Sequence, residues 1–269
     1  MTTDWNRLEQ AVKEHESPGM IGVSVISPQG ERWASRGDHQ FPAASTVKIP
    51  IMIEIYRAID RGILALDDTY ITRSVDKSPG SGVLRHMHTG LQLSFGDLLY
   101  LMMSISDNTA TNILIEVAGM DRINATMREL GMTASILGRP MRGRLAIEGE
   151  QENWAIPNDY TAVVKTILDD QAASPAACQA MLTTLTQQQN SRRIGRYVPT
   201  SKTYRWGSKT GSNRGVINDV GFVESPAGTM VIALYSRELG DRVTGECALS
   251  EIARAAMQVT GMISREGDQ

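Results

Sequence analysis

Residues 41–56 read Phe-Pro-Ala-Ala-Ser45-Thr-Val-Lys48-Ile-Pro-Ile-Met-Ile-Glu-Ile-Tyr. The second half of this stretch is apolar nearly all round, which predicts a buried helix that begins near Ala44. Ser45 and Lys48 then lie one turn apart on the same helix face, where free backbone N–H groups and the positive helix end gather. A lysine beside a serine hydroxyl in a partly desolvated site can lose its proton and act as the base that activates the serine. The alternative is a helix start with a solvated lysine.

Outward from this helix, the hydrophobic pattern indicates strands near both ends of the chain and helices between them. Helices are predicted over Trp5–Val12, Ser45–Ile59, Ser94–Ser104, Ala110–Ala118, Asp121–Leu130, Tyr160–Asp169, Pro175–Gln187 and Gly245–Met262. Strands are predicted over Met20–Ile26, Arg32–Arg36, Tyr204–Lys209, Val216–Glu224 and Thr229–Ser236. A kink is predicted at Pro50, because a proline beyond the first turn removes an internal hydrogen bond.

The order of these elements predicts an α+β fold. An antiparallel sheet is assembled from the two ends of the chain, flanked by the terminal helices, and an all-helical domain is inserted between its strands. We place the discontinuous sheet domain at residues 1–43 and 197–269 and the helical domain at residues 44–196. Because no linker-like tract separates the two, the site should lie in the cleft between them.

The composition excludes several classes of protein. The chain has 269 residues, with 27 basic and 30 acidic side chains, and this balance argues against nucleic acid or a membrane surface as partner. The two cysteines, Cys178 and Cys247, exclude a disulfide scaffold and are expected to be buried thiols. No metal-ligand cluster or nucleotide-binding loop is visible, so we expect no metal and no cofactor. No apolar run could cross a membrane and residues 1–16 lack a signal-peptide pattern, which predicts a cytoplasmic protein unless this is a mature chain.

Two further motifs have ordinary structural explanations when each is taken alone. Residues 106–108, Ser-Asp-Asn, are typical of a helix cap. Residues 206–212, Trp-Gly-Ser-Lys-Thr-Gly-Ser, are typical of a charged strand end with a turn glycine, which would also let a substrate approach the edge strand closely. With Ser45 and Lys48 they form the ordered set Ser-x-x-Lys, Ser-Asp-Asn and Lys-Thr-Gly.

This ordered set is the signature of class A β-lactamases and penicillin-binding proteins, and the sequence resembles that family. The similarity runs through residues 44–50, 98–112, 153–159, 209–211 and 214–217. The resemblance implies a β-lactamase/transpeptidase-like fold and a serine hydrolase that forms an acyl-enzyme.

The resemblance also implies a role for each matching residue. Ser45 is expected to be the acylated nucleophile, Lys48 the proton acceptor beside it, and Ser106 the relay that passes a proton to the leaving nitrogen. The backbone N–H groups of Ser45 and Ser212 would form the oxyanion hole. The expected substrate-binding residues are Asn108 for a side-chain amide, Lys209, Thr210, Gly211 and Ser212 for a carboxylate and its surroundings, and Arg214 as a second carboxylate anchor with Arg193 as a weaker candidate.

One segment departs from the family pattern. A class A enzyme discharges its acyl-serine with a glutamate four residues before an asparagine, and that count from Asn153 falls on Gly149. Glu148, Glu150 and Glu152 surround this position, so one of them could still reach the water if the loop follows a different path. The alternative is that all three belong to a solvated loop.

Three functions therefore remain open. The first is a serine hydrolase that opens a β-lactam or a related amide or ester carrying a carboxylate. The second is a cytoplasmic transacylase or esterase that passes the same acyl group to an amine or another acceptor. The third is a slowly deacylating penicillin-binding or sensing protein. No sequence feature bears on the oligomeric state.

Overall fold

The two ends of the chain meet in one antiparallel sheet in the computed structural model, which describes residues 3–17 and 19–264. The strands are β1 (Met20–Ile26), β2 (Arg32–Ser35), β3 (Phe41–Pro42), β4 (Thr69–Ile71), β5 (Gln92–Ser94), β6 (Trp154–Ala155), β7 (Arg205–Asn213), β8 (Val216–Ser225) and β9 (Gly228–Arg237). The five-stranded sheet has the order β2-β1-β9-β8-β7. The N-terminal β1 pairs with the C-terminal β9, with Met20 opposite Arg237. Strands β3 and β6 pair with each other, as do β4 and β5.

Strands β8 and β9 are buried along most of their length on both faces, and β9 accordingly carries a continuous apolar run at residues 230–235. Alternate side chains point to opposite faces of the sheet. One face joins the core of the helical block through Val220, Phe222, Val231, Ala233 and Tyr235. The other face joins a second core with Leu8, Val12, Leu249 and Ile252 of the terminal helices.

The helices lie mainly between the strands of the sheet. They are α1 (Trp5–His15), α2 (Lys48–Asp60), α3 (Phe95–Ser104), α4 (Asn108–Ala118), α5 (Met120–Glu129), α6 (Pro157–Leu168), α7 (Pro175–Thr186) and α8 (Arg242–Val259). Helices α2 to α7 form the inserted block, and α1 and α8 contact each other on the far side of the sheet. The α+β fold with terminal helices and an inserted helical block is therefore confirmed. The domain boundaries at residues 43 and 196 stay a prediction.

Helix α2 begins later than the sequence indicated. Residues Ala44–Val47 form a 3-10 turn, and the α-helix starts at Lys48. Pro50 therefore lies in the first turn of α2, where a proline costs no internal hydrogen bond. The predicted helix start near Ala44 was wrong, and with it the reason for a kink.

Two smaller expectations have different outcomes. Cys178 is buried in α7, but Cys247 is exposed near the start of α8, so the expectation of two buried thiols was wrong for Cys247. Across residues 3–17 and 19–264, none of the helices has the length and apolar character needed to span a bilayer.

Candidate active site

Ser45 lies in the 3-10 turn between β3 and α2, close against strand β7. Its neighbour Ala44 has φ +47°, a left-handed conformation that costs about 1–3 kcal/mol for a residue with a side chain. A Cβ atom placed on Gly211 would lie 3.1 Å from both Ser45 N and Ala43 O. The strand approaches the serine this closely because residue 211 has no side chain.

The strained turn is fixed by a buried hydrogen-bond chain. Thr46 donates its hydroxyl to the Ala43 carbonyl at 2.7 Å, and Tyr235 of β9 donates to Thr46 Oγ1 at 2.9 Å. Satisfied buried hydrogen bonds of this kind hold a single arrangement. Strand β9 therefore helps to set the position of the serine next to Thr46.

Lys48 has no exposed surface, and its ammonium group makes three hydrogen bonds. The Nζ atom donates to Ser106 O at 2.8 Å, to Ser106 Oγ at 2.9 Å and to Asn108 Oδ1 at 2.9 Å. Burial lowers the pKa of Lys48 well below its ordinary value, and the positive charge of Lys209 lowers that pKa further, while Asp107 opposes the shift. At a given pH, a larger fraction of Lys48 is therefore uncharged than of a solvated lysine, and the uncharged amine can accept a proton.

The Ser-Asp-Asn motif has two roles, which belong to different residues: one residue caps helix α4, and the other two contact Lys48. Asp107 caps α4 by accepting from Ala110 N at 3.0 Å, and it also accepts from Val83 N at 2.6 Å. Ser106, with φ +61°, and Asn108 on either side of it both contact Lys48. The capping explanation thus holds for the aspartate, while the serine and the asparagine are turned toward the reacting lysine.

Lys209 and Thr210 lie on β7 beside the serine. Lys209 has no exposed surface, donates to Thr210 O at 2.9 Å, and has its pKa lowered by burial to about 7, with Asp219 opposing the shift. Ser212 follows on the same strand and is exposed. Strand β7 therefore brings a lysine, a hydroxyl and a backbone edge to the same side of Ser45.

The three arginines near this strand have different positions. Arg193 has no exposed surface and donates to Gly211 O at 2.9 Å, to Ser212 Oγ at 2.6 Å and to Glu246 at 3.1 Å, so it holds β7 in place. Arg214 lies in the exposed turn between β7 and β8, and its role as a carboxylate anchor stays a prediction. Arg242, which the sequence pattern did not single out, lines a cavity beside Ser45.

Ser45 lies between two cavities of unequal size. The larger one, about 240 Å³, is shared with Ser106, Thr210, Ser212 and Arg242. The smaller one, about 50 Å³, is lined by Ala44, Gly80, Ser81, Asn108, Arg139, Met141, Arg142, Gly143, Arg144, Glu152, Asn153, Ser212 and Asn213. A larger groove, about 990 Å³, lies elsewhere, between α8 and residues 191–206. Ser45 does not line that groove, so we place the chemistry at the two smaller cavities.

The three glutamates near Gly149 differ in their surroundings. Glu148 is exposed. Glu150 pairs with Arg144 at 2.6 Å, and this contact lowers the pKa of Glu150 to about 2. Glu152 alone turns toward Ser45, and it pairs there with Arg139 at 3.1 Å.

Sequence reasoning missed two residues that hold this region together. Asn112, one turn after Asn108 on α4, donates to Ser78 Oγ at 2.6 Å and to Met141 O at 3.0 Å, and accepts from Met141 N at 2.8 Å. The available signal was the spacing of the two asparagines, which places both on one face of the helix. Met141 gave no signal, because a methionine in a loop has no chemistry that marks it as a site residue.

With this geometry established, comparisons with known proteins decide the family. A sequence profile described as "Beta-lactamase enzyme family" matches residues 5–260. The chain belongs to the β-lactamase enzyme family. The fold and the Ser-x-x-Lys, Ser-Asp-Asn and Lys-Thr-Gly signature led to the same family, so the resemblance is confirmed.

Individual family members show how broad the similarity is. The structure of a β-lactamase from Sphaerobacter thermophilus has a TM-score of 0.96 and 51% sequence identity, over 97% of this chain and 100% of that one. An ancestral class A β-lactamase has a TM-score of 0.84 and 27% identity, over 94% and 98% of the two chains. The β-lactamase BRO-1 of Moraxella catarrhalis is 26% identical over 221 residues, which cover 79% of this chain and 70% of that protein. The protein is a serine hydrolase of the β-lactamase type.

Proposed function

We propose that the protein opens β-lactams by forming an acyl-enzyme on Ser45, which water then hydrolyses. The observation that carries this proposal is the environment of Lys48: a fully buried amine with a lowered pKa, hydrogen-bonded to Ser106 and one helical turn from Ser45. Its relatives supply the substrate class, since several of them are named β-lactamases.

Acylation follows from the contacts of this lysine. The uncharged Lys48 amine takes the proton of Ser45 Oγ as this oxygen attacks the β-lactam carbonyl carbon. Ser106 Oγ donates its proton to the ring nitrogen as the C–N bond breaks, and the Lys48 ammonium, hydrogen-bonded to Ser106 Oγ, returns the proton that it took from Ser45 to Ser106. The product is an ester on Ser45 and an amine on the opened ring, so every proton and bond is accounted for.

The larger cavity suits the carboxylate of the substrate. Thr210 offers a hydroxyl, Arg242 supplies positive charge, and the adjacent β7 edge carries Ser212. Charged groups in a partly enclosed cleft attract an oppositely charged substrate. We therefore propose a small anionic substrate whose carboxylate lies on the β7 side of Ser45.

Intact-protein mass spectrometry with benzylpenicillin tests this proposal. The wild-type protein should gain the mass of one penicillin, or convert the drug to penicilloic acid if the adduct decays quickly. Ser45→Ala should do neither, while the control Ser35→Ala on β2, away from the cleft, should behave like the wild type. Reversible binding without a covalent adduct or product in the wild type would contradict the proposal.

Transfer of the acyl group to an amine uses the same intermediate. The observation that favours it is the ion-paired state of Glu152, the one glutamate of the three turned toward Ser45. Slow access of water would leave the ester available to a stronger nucleophile. Product analysis with and without hydroxylamine separates the two outcomes: an enzyme specialised for hydrolysis gives penicilloic acid alone, and a transferase gives the hydroxamate.

A further inference from the structure

Met141 lines the smaller of the two cavities beside Ser45 and not the larger one. Its side chain is buried and lines the smaller cavity together with Ser45, Asn108 and Asn153. The Sδ atom of Met141 lies 4.0 Å from Nδ2 of Asn153. A sulfur and an amide N–H at this distance form only a weak contact.

The backbone of Met141 is held at two points, so the side chain starts from a fixed position. Asn112 accepts from Met141 N at 2.8 Å and donates to Met141 O at 3.0 Å. Asn153 adds a second constraint, because its Oδ1 accepts from Gly138 N at 2.8 Å and from Arg139 N at 2.9 Å. The loop therefore places residue 141 as firmly as an element of regular structure would.

Hydrolysis of an ester on Ser45 requires a group that accepts a proton from the attacking water. Among the described residues that line the smaller cavity, the one carboxylate is that of Glu152. Its Oε1 accepts from Arg139 at 3.1 Å and from Asn153 N at 2.8 Å, and its Oε2 accepts from Arg139 at 3.3 Å and from Ala146 N at 2.7 Å. A carboxylate has about four acceptor positions, so these four bonds leave none for a water molecule.

We infer that Met141 occupies the place from which a base would activate water, and that its thioether makes the acyl-enzyme on Ser45 long-lived. A thioether sulfur does not accept a proton from water at neutral pH. Glutamate has nearly the length of methionine, so Met141→Glu puts a carboxylate where the sulfur lies, beside the Asn153 amide that can donate to it. In that variant the carboxylate takes a proton from water as the water oxygen bonds to the ester carbon. The ester C–O bond then breaks, and the same proton passes to Ser45 Oγ, which restores both the serine and the carboxylate. This inference rests on the proposed function.

The experiment measures the lifetime of the penicilloyl adduct after excess benzylpenicillin is removed. Wild type, Met141→Glu and the uncharged control Met141→Gln are acylated, desalted and followed by intact-protein mass spectrometry. Met141→Glu should lose its adduct at least ~100-fold faster than both other proteins, within the 10²–10⁴-fold range typical of a positioned base. All three should acylate at rates within about tenfold of one another, because the Lys48 side is unchanged.

Equal adduct lifetimes for Met141→Glu and Met141→Gln, in variants that acylate and melt like the wild type, would overturn the inference. Glu152→Gln gives a second measurement that does not depend on any change at position 141. It should leave the adduct lifetime of the wild type unchanged. A short-lived wild-type adduct that Glu152→Gln prolongs would make Glu152 the base instead and would also overturn the inference. Failure of the wild type to acylate at all would contradict the proposed function. This result differs from the two outcomes above, in which the wild type acylates and only the role of Met141 is overturned.

Discussion

The two cavities beside Ser45 are both lined by charged and polar groups but use them in opposite ways. On the side of Lys48 and Lys209, buried groups converge and an adjoining cavity of about 240 Å³ is left open. On the side of residues 139–153, charged groups are satisfied by one another, and only about 50 Å³ is left. The first side can act on a substrate, whereas the second mainly holds its own loop together.

Charge near a nucleophile is therefore not enough to assign a catalytic role. Lys48 has a lowered pKa and a hydroxyl partner that can pass its proton on. Glu152 has the proton acceptor chemistry of a base, but each of its oxygens already accepts two hydrogen bonds. Glu152 has no acceptor position left for a water molecule, so it serves the structure of the loop. The uncharged Lys48 amine can still accept a proton, so it serves the reaction.

The largest expected effect comes from removing the base on the acylation side. Lys48→Met should slow acylation by a chromogenic cephalosporin by about 10³-fold or more, because no other amine contacts Ser106 among the described residues. Stopped-flow absorbance measures this rate. The variant should fold, because methionine nearly fills the space of the lysine, but it should melt a few degrees below the wild type, since Ser106 O, Ser106 Oγ and Asn108 Oδ1 lose their buried donor. Acylation within tenfold of wild type would show that the two sides do not differ as described.

Removing Arg139 tests the structural role of the opposite side. The side chains of Arg139 and Glu152 are 8% and 10% exposed, so Arg139→Met leaves a nearly buried carboxylate unpaired, at a cost of about 3 kcal/mol. Urea unfolding measures this loss, and hydrogen exchange should show lost protection in residues 139–153. The exposed Arg214→Met is the matched control and should change stability little. Acylation should fall less than tenfold; a complete loss would place Arg139 in the acylation machinery.

A smaller effect is expected where β7 passes the nucleophile. Gly211→Ala places a methyl group about 3.1 Å from Ser45 N, so the strand or the turn must shift by a few tenths of an ångström. Acylation should slow about tenfold, with a loss of stability of about 1 kcal/mol. Gly96→Ala in α3 is the control, because its new methyl group would meet neighbours at no less than 3.5 Å. Equal rates for both variants would contradict the close fit at Ser45.

The smallest effect concerns pH. Because the pKa of Lys209 is about 7 in the folded protein and its ordinary value, 10.5, applies once the chain unfolds, the unfolded chain binds more protons between these values. Stability should therefore rise with pH over this window, by at most about 1.4 kcal/mol per pH unit. Urea unfolding at pH 7.5 and 8.5 should show a smaller rise in Lys209→Met than in wild type. The pKa of Lys48 is also lowered in the folded protein, so part of the rise in stability should persist in Lys209→Met. Equal slopes of stability against pH in the two proteins would contradict the lowering of the Lys209 pKa by burial.

The residues that the short motifs singled out lie on regular elements or directly beside them: Ser45 precedes α2 and Ser106 precedes α4. Residues on α2, α4 and β7 have positions fixed by helical or strand geometry, so the three short motifs were enough to find them. The start of α2 was misjudged because a 3-10 turn and an α-helix have similar side-chain patterns over four residues.

The loop side could not be predicted in the same way. Counting back from Asn153 reached Gly149, which the structure places in an exposed turn with φ +82°. Met141 lies twelve positions before Asn153, yet both residues line the smaller cavity. The chain leaves this cavity after residue 144 and returns to it at residue 152. Positions in a loop depend on the path of the backbone, and tertiary hydrogen bonds such as those of Asn112 set that path.

The pairing of β1 with β9 has a consequence for how the protein folds. Met20 cannot meet Arg237 until more than 200 further residues have been synthesised, and contacts of such long sequence separation form slowly. The turn that carries Ser45 also waits for Tyr235 and Gly211, which arrive late in translation. Covalent labelling by a β-lactam should therefore report completed folding, and truncated or newly released chains should remain unlabelled until the last strand has docked.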